Sequence, residues 1–147
     1  MIAMNRYLID SNIIIKLWER NEDNLSELIK ENKIVILKDV LEEISIKEKR
    51  KYKGNYILSQ RFCELLPVSI EIDKKDISGF YLIFDYETKD KKEKNKLSQV
   101  DLLNLYTCYI NSELILVTED KALFNISKSL LGDKRVWSID NLISSLR

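Results

Sequence analysis

The sequence predicts an α/β protein with a three-layer α/β/α arrangement around a short parallel sheet of four or five strands. Three observations predict it. Ile34–Leu37 and Leu114–Val117 are apolar at every position, as strands covered on both faces of a parallel sheet must be. Segments with apolar residues at helical spacing separate these runs, so strands and helices alternate. Gly and Pro number only 3 and 1, too few for the turns of an all-β sandwich or barrel. With 147 residues the chain has the length of one domain, and residues 1–147 are read as a single unit.

Each element follows in order. Tyr7-Leu8-Ile9 forms a first strand, and Asp10-Ser11-Asn12 behind it are residues that start helices. Ile13, Ile14, Leu17 and Trp18 continue as a helix packed on the sheet, and Leu25, Leu28 and Ile29 mark a second helix over 24–31. After the strand Ile34–Leu37, Asp39 is expected to open a helix, with Glu42 as its capping-box partner. Gly54 interrupts the charged continuation, and 56–66 reads as an amphipathic helix that Pro67 ends. Val68, Ile70 and Ile72 alternate as a half-exposed strand does. Helices are expected over 76–86 and from Ser98 to about Ile110, with a charged connection over 88–95. The strand Leu114–Val117 leads to a helix over Lys121–Leu131, which Gly132 ends. A last strand over 136–139 precedes a terminal helix capped by Asp140.

Composition narrows the chemistry. Apolar residues make up 45% and charged residues 33%, the balance of a folded globular protein rather than a disordered or membrane one. The chain has no histidine, which excludes Ser-His-Asp and Cys-His catalysis and every His-ligated zinc site. Cys63 and Cys108 lie too far apart for a C-x-x-C site and read as reduced, buried thiols. No leader segment is expected before Tyr7, and the longest uncharged stretch, 102–112, is well short of the roughly 20 residues of a membrane span. A soluble cytoplasmic protein with no membrane partner is the expectation. Net charge is zero, but residues 47–61 carry a local +5 and residues 89–96 a local +3. Such runs are ordinarily solvated faces. They also suit a nucleic-acid backbone running toward an acidic centre.

The acidic centre comes from where the carboxylates fall. In an open parallel sheet, ligands bind beyond the carboxyl ends of the strands. Asp10 ends the first strand, Thr118-Glu119-Asp120 ends the strand Leu114–Val117, and Asp101 lies in the first turn of the helix leading into that strand. Glu42 and Glu43 lie in the first turns of the helix after the second strand. Taken singly, Asp10, Asp101 and Asp120 each have a helix-capping explanation. Taken together, they converge on one rim, where like charges repel unless a cation neutralises them. Of the glutamate doublet, Glu43 lies nearer the buried stripe of Val40, Leu41 and Ile44, hence nearer the sheet edge. An all-oxygen site selects Mg²⁺ or Mn²⁺ over zinc or copper. The chemistry such a site supports is hydrolysis of a phosphodiester by an activated water.

These residues resemble a PIN domain, and more narrowly a VapC-type ribonuclease toxin. The resemblance rests on Tyr7-Leu8-Ile9-Asp10-Ser11-Asn12, Val40-Leu41-Glu42-Glu43-Ile44, Val100-Asp101-Leu102-Leu103 and Leu116-Val117-Thr118-Glu119-Asp120-Lys121. It implies a metal-dependent endoribonuclease with Asp10, Glu43, Asp101 and Asp120 as metal-binding, catalytic carboxylates. It further implies Asn12 and Thr118 as polar supports, Ser11 standing where the family often has Thr. Implied partners are an RNA substrate, a cognate antitoxin and a second copy in a homodimer. Asn104 and Tyr106 stand where such toxins often have small residues, and the lysine-rich segment 89–96 is a poor match to them. Tyr52 or Tyr56 could stack on a base beside the lysines of 47–53. A catalytically silent PIN-like module that binds RNA or protein is the alternative. Receiver-type and haloacid-dehalogenase-like phosphoryl chemistry would need a second acid beside Asp10, where Ser11 and Asn12 stand.

Overall fold

In a computed structural model, residues 6–20, 22–48, 50–52, 55–57, 60–92 and 96–145 are described. Strands β1 (Arg6–Ile9), β2 (Ile34–Leu37), β5 (Ser69–Ile70), β6 (Leu114–Val117) and β7 (Val136–Trp137) form one sheet in the order β5-β2-β1-β6-β7. Every pairing within it is parallel, and Ile9 lies in register with Val117. All four residues of β2 and of β6 are buried, as their unbroken apolar runs require.

Helices α1 (Ser11–Arg20), α2 (Glu22–Lys30), α3 (Lys38–Glu48), α4 (Gln60–Cys63), α5 (Ile77–Glu87), α6 (Gln99–Ile110), α7 (Lys121–Leu131) and α8 (Ile139–Ser144) flank the sheet. α1 buries Ile13, Ile14, Leu17 and Trp18, one stripe of an amphipathic helix. α6 is different: Leu103 to Cys108 are buried in an unbroken run, so this helix is enclosed on most sides. Among the described residues, no helix is long and apolar enough to cross a membrane.

The chain order creates a reversal. From β1 the chain moves to β2 and then β5 on one side, and afterwards to β6 and β7 on the other. The switch therefore falls between β1 and β6. Asp10 and Thr118 are the first residues beyond their carboxyl ends.

Several sequence expectations are corrected. Residues 56–66 do not form one helix. β3 (Arg50–Tyr52) and β4 (Asn55–Ile57) pair antiparallel, and α4 is four residues long. Aromatic and β-branched residues on either side of a lone glycine favour paired strands over a helix, while Gly54 itself lies outside the described residues. α3 begins at Lys38, so Asp39 sits inside the first turn and its carboxylate pairs with Lys74 at 3.5 Å instead of opening a capping box. The last strand stops at Trp137, because Ser138 caps α8 in a box with Asn141. Asp140 is therefore a first-turn residue, paired with Arg20 at 3.0 Å. Both cysteines are free, but Cys63 is exposed; only Cys108 is buried, and burial pushes its thiol up to about 12.

Arg135 locks the approach to β7. Its Nη2 donates to the carbonyls of Cys108, Asn111 and Leu114, tying the end of α6 to the start of β6. Arg135→Met removes these three bonds at a part-buried site, the Asn111 carbonyl keeping its bond from the Leu114 amide, and is expected to cost about 2–3 kcal/mol, read as a lower urea midpoint with an unchanged slope.

Candidate metal centre

Asp10 stands at the centre. It follows β1 and is only 5% exposed. Its Oδ1 accepts from the Ile13 amide at 3.0 Å, which caps α1. Its Oδ2 accepts from the Thr118 hydroxyl at 2.9 Å. That same hydroxyl oxygen accepts from the Asp120 amide at 3.1 Å. Fully buried Thr118 thus joins the ends of β1 and β6 and the start of α7 through one oxygen.

Asp120 is the N-cap of α7, its Oδ1 accepting from the Leu123 amide at 2.9 Å. Asp101 forms a capping box with Ser98, each side chain bonded to the other's backbone amide at 3.0 Å. The sequence assigned these residues both capping and site roles, and the capping roles are observed. Burial is the main reason that the Asp10 carboxyl is pushed up to about 6. The Ile13 and Thr118 hydrogen bonds oppose the rise, and the negative charges of Asp101 and Asp120 add to it. Three carboxylates separated in sequence are therefore near enough at one edge for their fields to overlap.

Glu43 reaches the same edge from α3. Ser11, the residue after Asp10, donates its hydroxyl to Glu43 Oε2 at 3.2 Å. Glu42 is exposed. Asn12 is exposed in the first turn of α1, so of the expected polar supports Thr118 is the one bonded to Asp10. Each carboxylate carries further lone pairs beyond its protein hydrogen bonds. Among the described residues, however, no three His, Cys, Asp or Glu side chains form a group able to hold a metal jointly.

Two hollows open on the surface, one of them at Asp120. One of about 370 Å³ is lined by Lys96, Asp120, Lys121, Ala122 and Asn125. The other, of about 440 Å³, lies among Asp39 of α3, Lys74, Ile77 and Tyr81 near α5, and Gln99, Val100 and Leu103 of α6. Of the basic run 89–96, residues 93–95 lie outside the described residues, but Lys96 lines the same hollow as Asp120. The side chains over 47–57, Tyr52 and Tyr56 among them, also lie outside the described part.

No family model matches this chain, and no curated protein matches it. Among solved structures it is similar to the "Crystal structure of PAE2754 from Pyrobaculum aerophilum", with 18% identity and a TM-score of 0.58 over 97% of this chain and 89% of that one. At that identity the likeness shows the fold.

Sequence reasoning did not single out Lys96, Lys121, Lys74 or Gln99 as individual site neighbours, because a single lysine or glutamine carries no spacing signal. Asn104 was noted in the sequence as standing, with Tyr106, where the resembled toxins often have small residues. It is fully buried, one turn on from Asp101, and neither amide atom has a hydrogen-bond partner among the described residues.

Two outcomes follow for metal-free protein. The unfolded Asp10 ionises near 3.8 and the folded one near 6, so between those values the folded state binds more protons and stability falls as pH rises. The expected loss is about 3 kcal/mol, complete above pH ~6.5, and Asp10→Asn flattens the slope in chemical denaturation with chelator present. Thr118→Val keeps the shape but strands Asp10 Oδ2 and the Asp120 amide, at a cost of about 2 kcal/mol in the same assay.

Proposed function

We propose that this protein is a metal-dependent endoribonuclease hydrolysing RNA phosphodiester bonds, and that it is a VapC-like toxin restrained by a cognate antitoxin. The observation that carries the reading is the position of Asp10 and Thr118. They sit beyond the carboxyl ends of β1 and β6, where the strand order reverses, and open α/β sheets bind ligands in the crevice at that point. The toxin reading draws its support from the sequence resemblance to PIN domains.

Asp10, Glu43, Asp101 and Asp120 would hold Mg²⁺ or Mn²⁺. The donor set is all oxygen and carries a surplus of negative charge around a buried carboxylate. Magnesium binds through one or two carboxylates and keeps several waters, so it does not require three carboxylates in mutual contact. A bound divalent cation supplies neutralisation of charge on the phosphodiester and easier ionisation of water. Capping does not account for Glu43, which lies beyond the first turn of α3 and whose bonded partner is Ser11.

The chain's own groups hold the arrangement in place. The Ile13 amide and the Thr118 hydroxyl fix both oxygens of Asp10, so its orientation is set before substrate arrives. The Ser98 box fixes Asp101, and the Leu123 amide fixes Asp120. Lys96 and Lys121 line the hollow at Asp120 and attract the phosphates on either side of the scissile bond. The hollow between α5 and α6 is lined by Ile77, Tyr81, Val100 and Leu103 together with Asp39, Lys74 and Gln99, a mixed apolar and polar lining suited to an unstacked base.

A second reading, a PIN-like RNA- or protein-binding module without catalysis, is favoured by the helix-capping bonds that Asp10, Asp101 and Asp120 already make. One experiment separates the two. Wild type and Asp101→Asn are incubated with total RNA in Mn²⁺, in Mg²⁺ or with EDTA, and their melting temperatures are followed in parallel. Asparagine keeps the cap but removes a charge. Nuclease action predicts cleavage by the wild type, abolished by EDTA and reduced about 100-fold or more in the variant, with a Mn²⁺-dependent rise in melting temperature. RNA retention without cleavage, and no thermal shift with metal, would establish the binding module instead.

A further inference from the structure

The hollow between α5 and α6 holds two charged groups that the cleavage chemistry does not use. At about 440 Å³ it has the size of a site for a small ligand or a single nucleoside. Half-buried Ile77 and Tyr81 line it one turn apart on α5, and half-buried Val100 and buried Leu103 line it from α6. They supply apolar contact and one aromatic ring, the usual partner of an unstacked base.

Asp39 and Lys74 supply the polar part. Their contact is long, 3.5 Å, against 3.0 Å for Arg20 with Asp140 and 2.9 Å for Lys33 with Glu31. Both side chains are part-exposed, so the pair adds little to stability. An acid in the first turn suits the start of α3, but that does not account for the lysine set against it. The turn presenting Lys74 is tied on both sides. The Ile77 amide donates to the Lys74 carbonyl at 3.2 Å, and the Lys75 amide to the Asp73 carboxylate at 2.9 Å. Lys74 reaches Asp39 Oδ2, which leaves Oδ1 without a bond among the described residues.

We propose that this hollow selects guanine. A carboxylate accepts through both of its oxygens, and an ammonium only donates. On its Watson–Crick edge guanine sets two donors side by side, N1–H and the 2-amino group, with the acceptor O6 next to N1. Adenine, cytosine and uracil each offer one donor group there, which would leave one Asp39 oxygen bare. Guanine therefore satisfies both oxygens of Asp39 while O6 accepts from Lys74 and the ring lies against Tyr81. Val100 directly precedes Asp101, and Asp39 lies one turn before Glu43 on α3. A guanosine held here is thereby linked to the carboxylates. The inference rests on the ribonuclease reading for the cleavage it would direct, but the binding is measurable without it.

The test is fluorescence anisotropy of the full chain, in EDTA, with labelled hexauridine whose third residue is uridine, adenosine, guanosine or inosine. The guanosine oligomer is expected to bind at least about 100-fold tighter than the uridine and adenosine ones. Inosine lacks the 2-amino group and is expected to bind about 10-fold more weakly than guanosine. Asp39→Asn narrows the gap between guanosine and inosine, whereas Lys74→Met weakens both alike, because O6 is common to them. Should either variant misfold, the wild type's ranking of guanosine over inosine decides alone. Equal affinity for all four oligomers, inosine as tight as guanosine, or no binding of any of them overturns the proposal. Cleavage in Mn²⁺ by a protein with no guanosine preference overturns the guanine site and leaves the ribonuclease standing. Guanosine preference in EDTA with no cleavage in Mn²⁺ supports the guanine site and overturns the ribonuclease.

Discussion

The hydrogen bond from Thr118 to Asp10 is the hinge on which the arrangement of this protein turns. It spans 108 positions of sequence and closes the seam between β1 and β6, the two strands on either side of the reversal in sheet order. Through Asp10 the bond also reaches the first turn of α1, and through the Thr118 oxygen it reaches the amide that starts α7. Two strands and two helices meet in one short chain of bonds. Because neither Asp10 nor Thr118 is open to solvent, water does not compete for these contacts, and each is worth more than its exposed counterpart.

That economy has an electrostatic cost. A parallel α/β chain starts its helices where its strands end, so the caps of α1 and α7 gather at one edge by topology alone, and the box that starts α6 joins them. Convergence of Asp10, Asp101 and Asp120 is to that extent a consequence of the fold. Capping, however, is satisfied at the surface and does not require a carboxylate to be buried beside two others. Asp10 is nearly enclosed, and the charges of Asp101 and Asp120 oppose its ionisation. Burial and the two neighbouring charges therefore work against the ionised form of Asp10, while its hydrogen bonds from Ile13 and Thr118 favour it.

The electrostatic surroundings extend the same logic. Lys96 and Lys121 line the hollow at Asp120, and Lys74 pairs with Asp39 one turn before Glu43 on α3. Two lysines therefore share a hollow with Asp120 within a chain whose net charge is zero.

The alternation of strands and helices was legible in the residues because fully apolar runs such as Ile34–Leu37 and Leu114–Val117 have few places to go except inside a covered sheet. The capping roles of Asp10, Asp101 and Asp120 were legible because a cap bond spans three positions and is local. Helical phase set Glu43 nearer the sheet than Glu42, and in the structure Glu43 is half-buried and accepts from Ser11 while Glu42 is exposed. Short irregular pieces were not legible. The three-residue strands β3 and β4 derive their stability from pairing with each other, and the start of α3 one residue before Asp39 depends on β2 running directly into it. What the sequence by itself determined is the set of elements and the chemical kind of the residues at their ends. Only the tertiary structure decided that β1 and β6 are neighbours, that Thr118 reaches Asp10, and that Lys96 comes to stand at Asp120. Those are contacts between distant segments, and their geometry comes from packing the whole core rather than from any local preference.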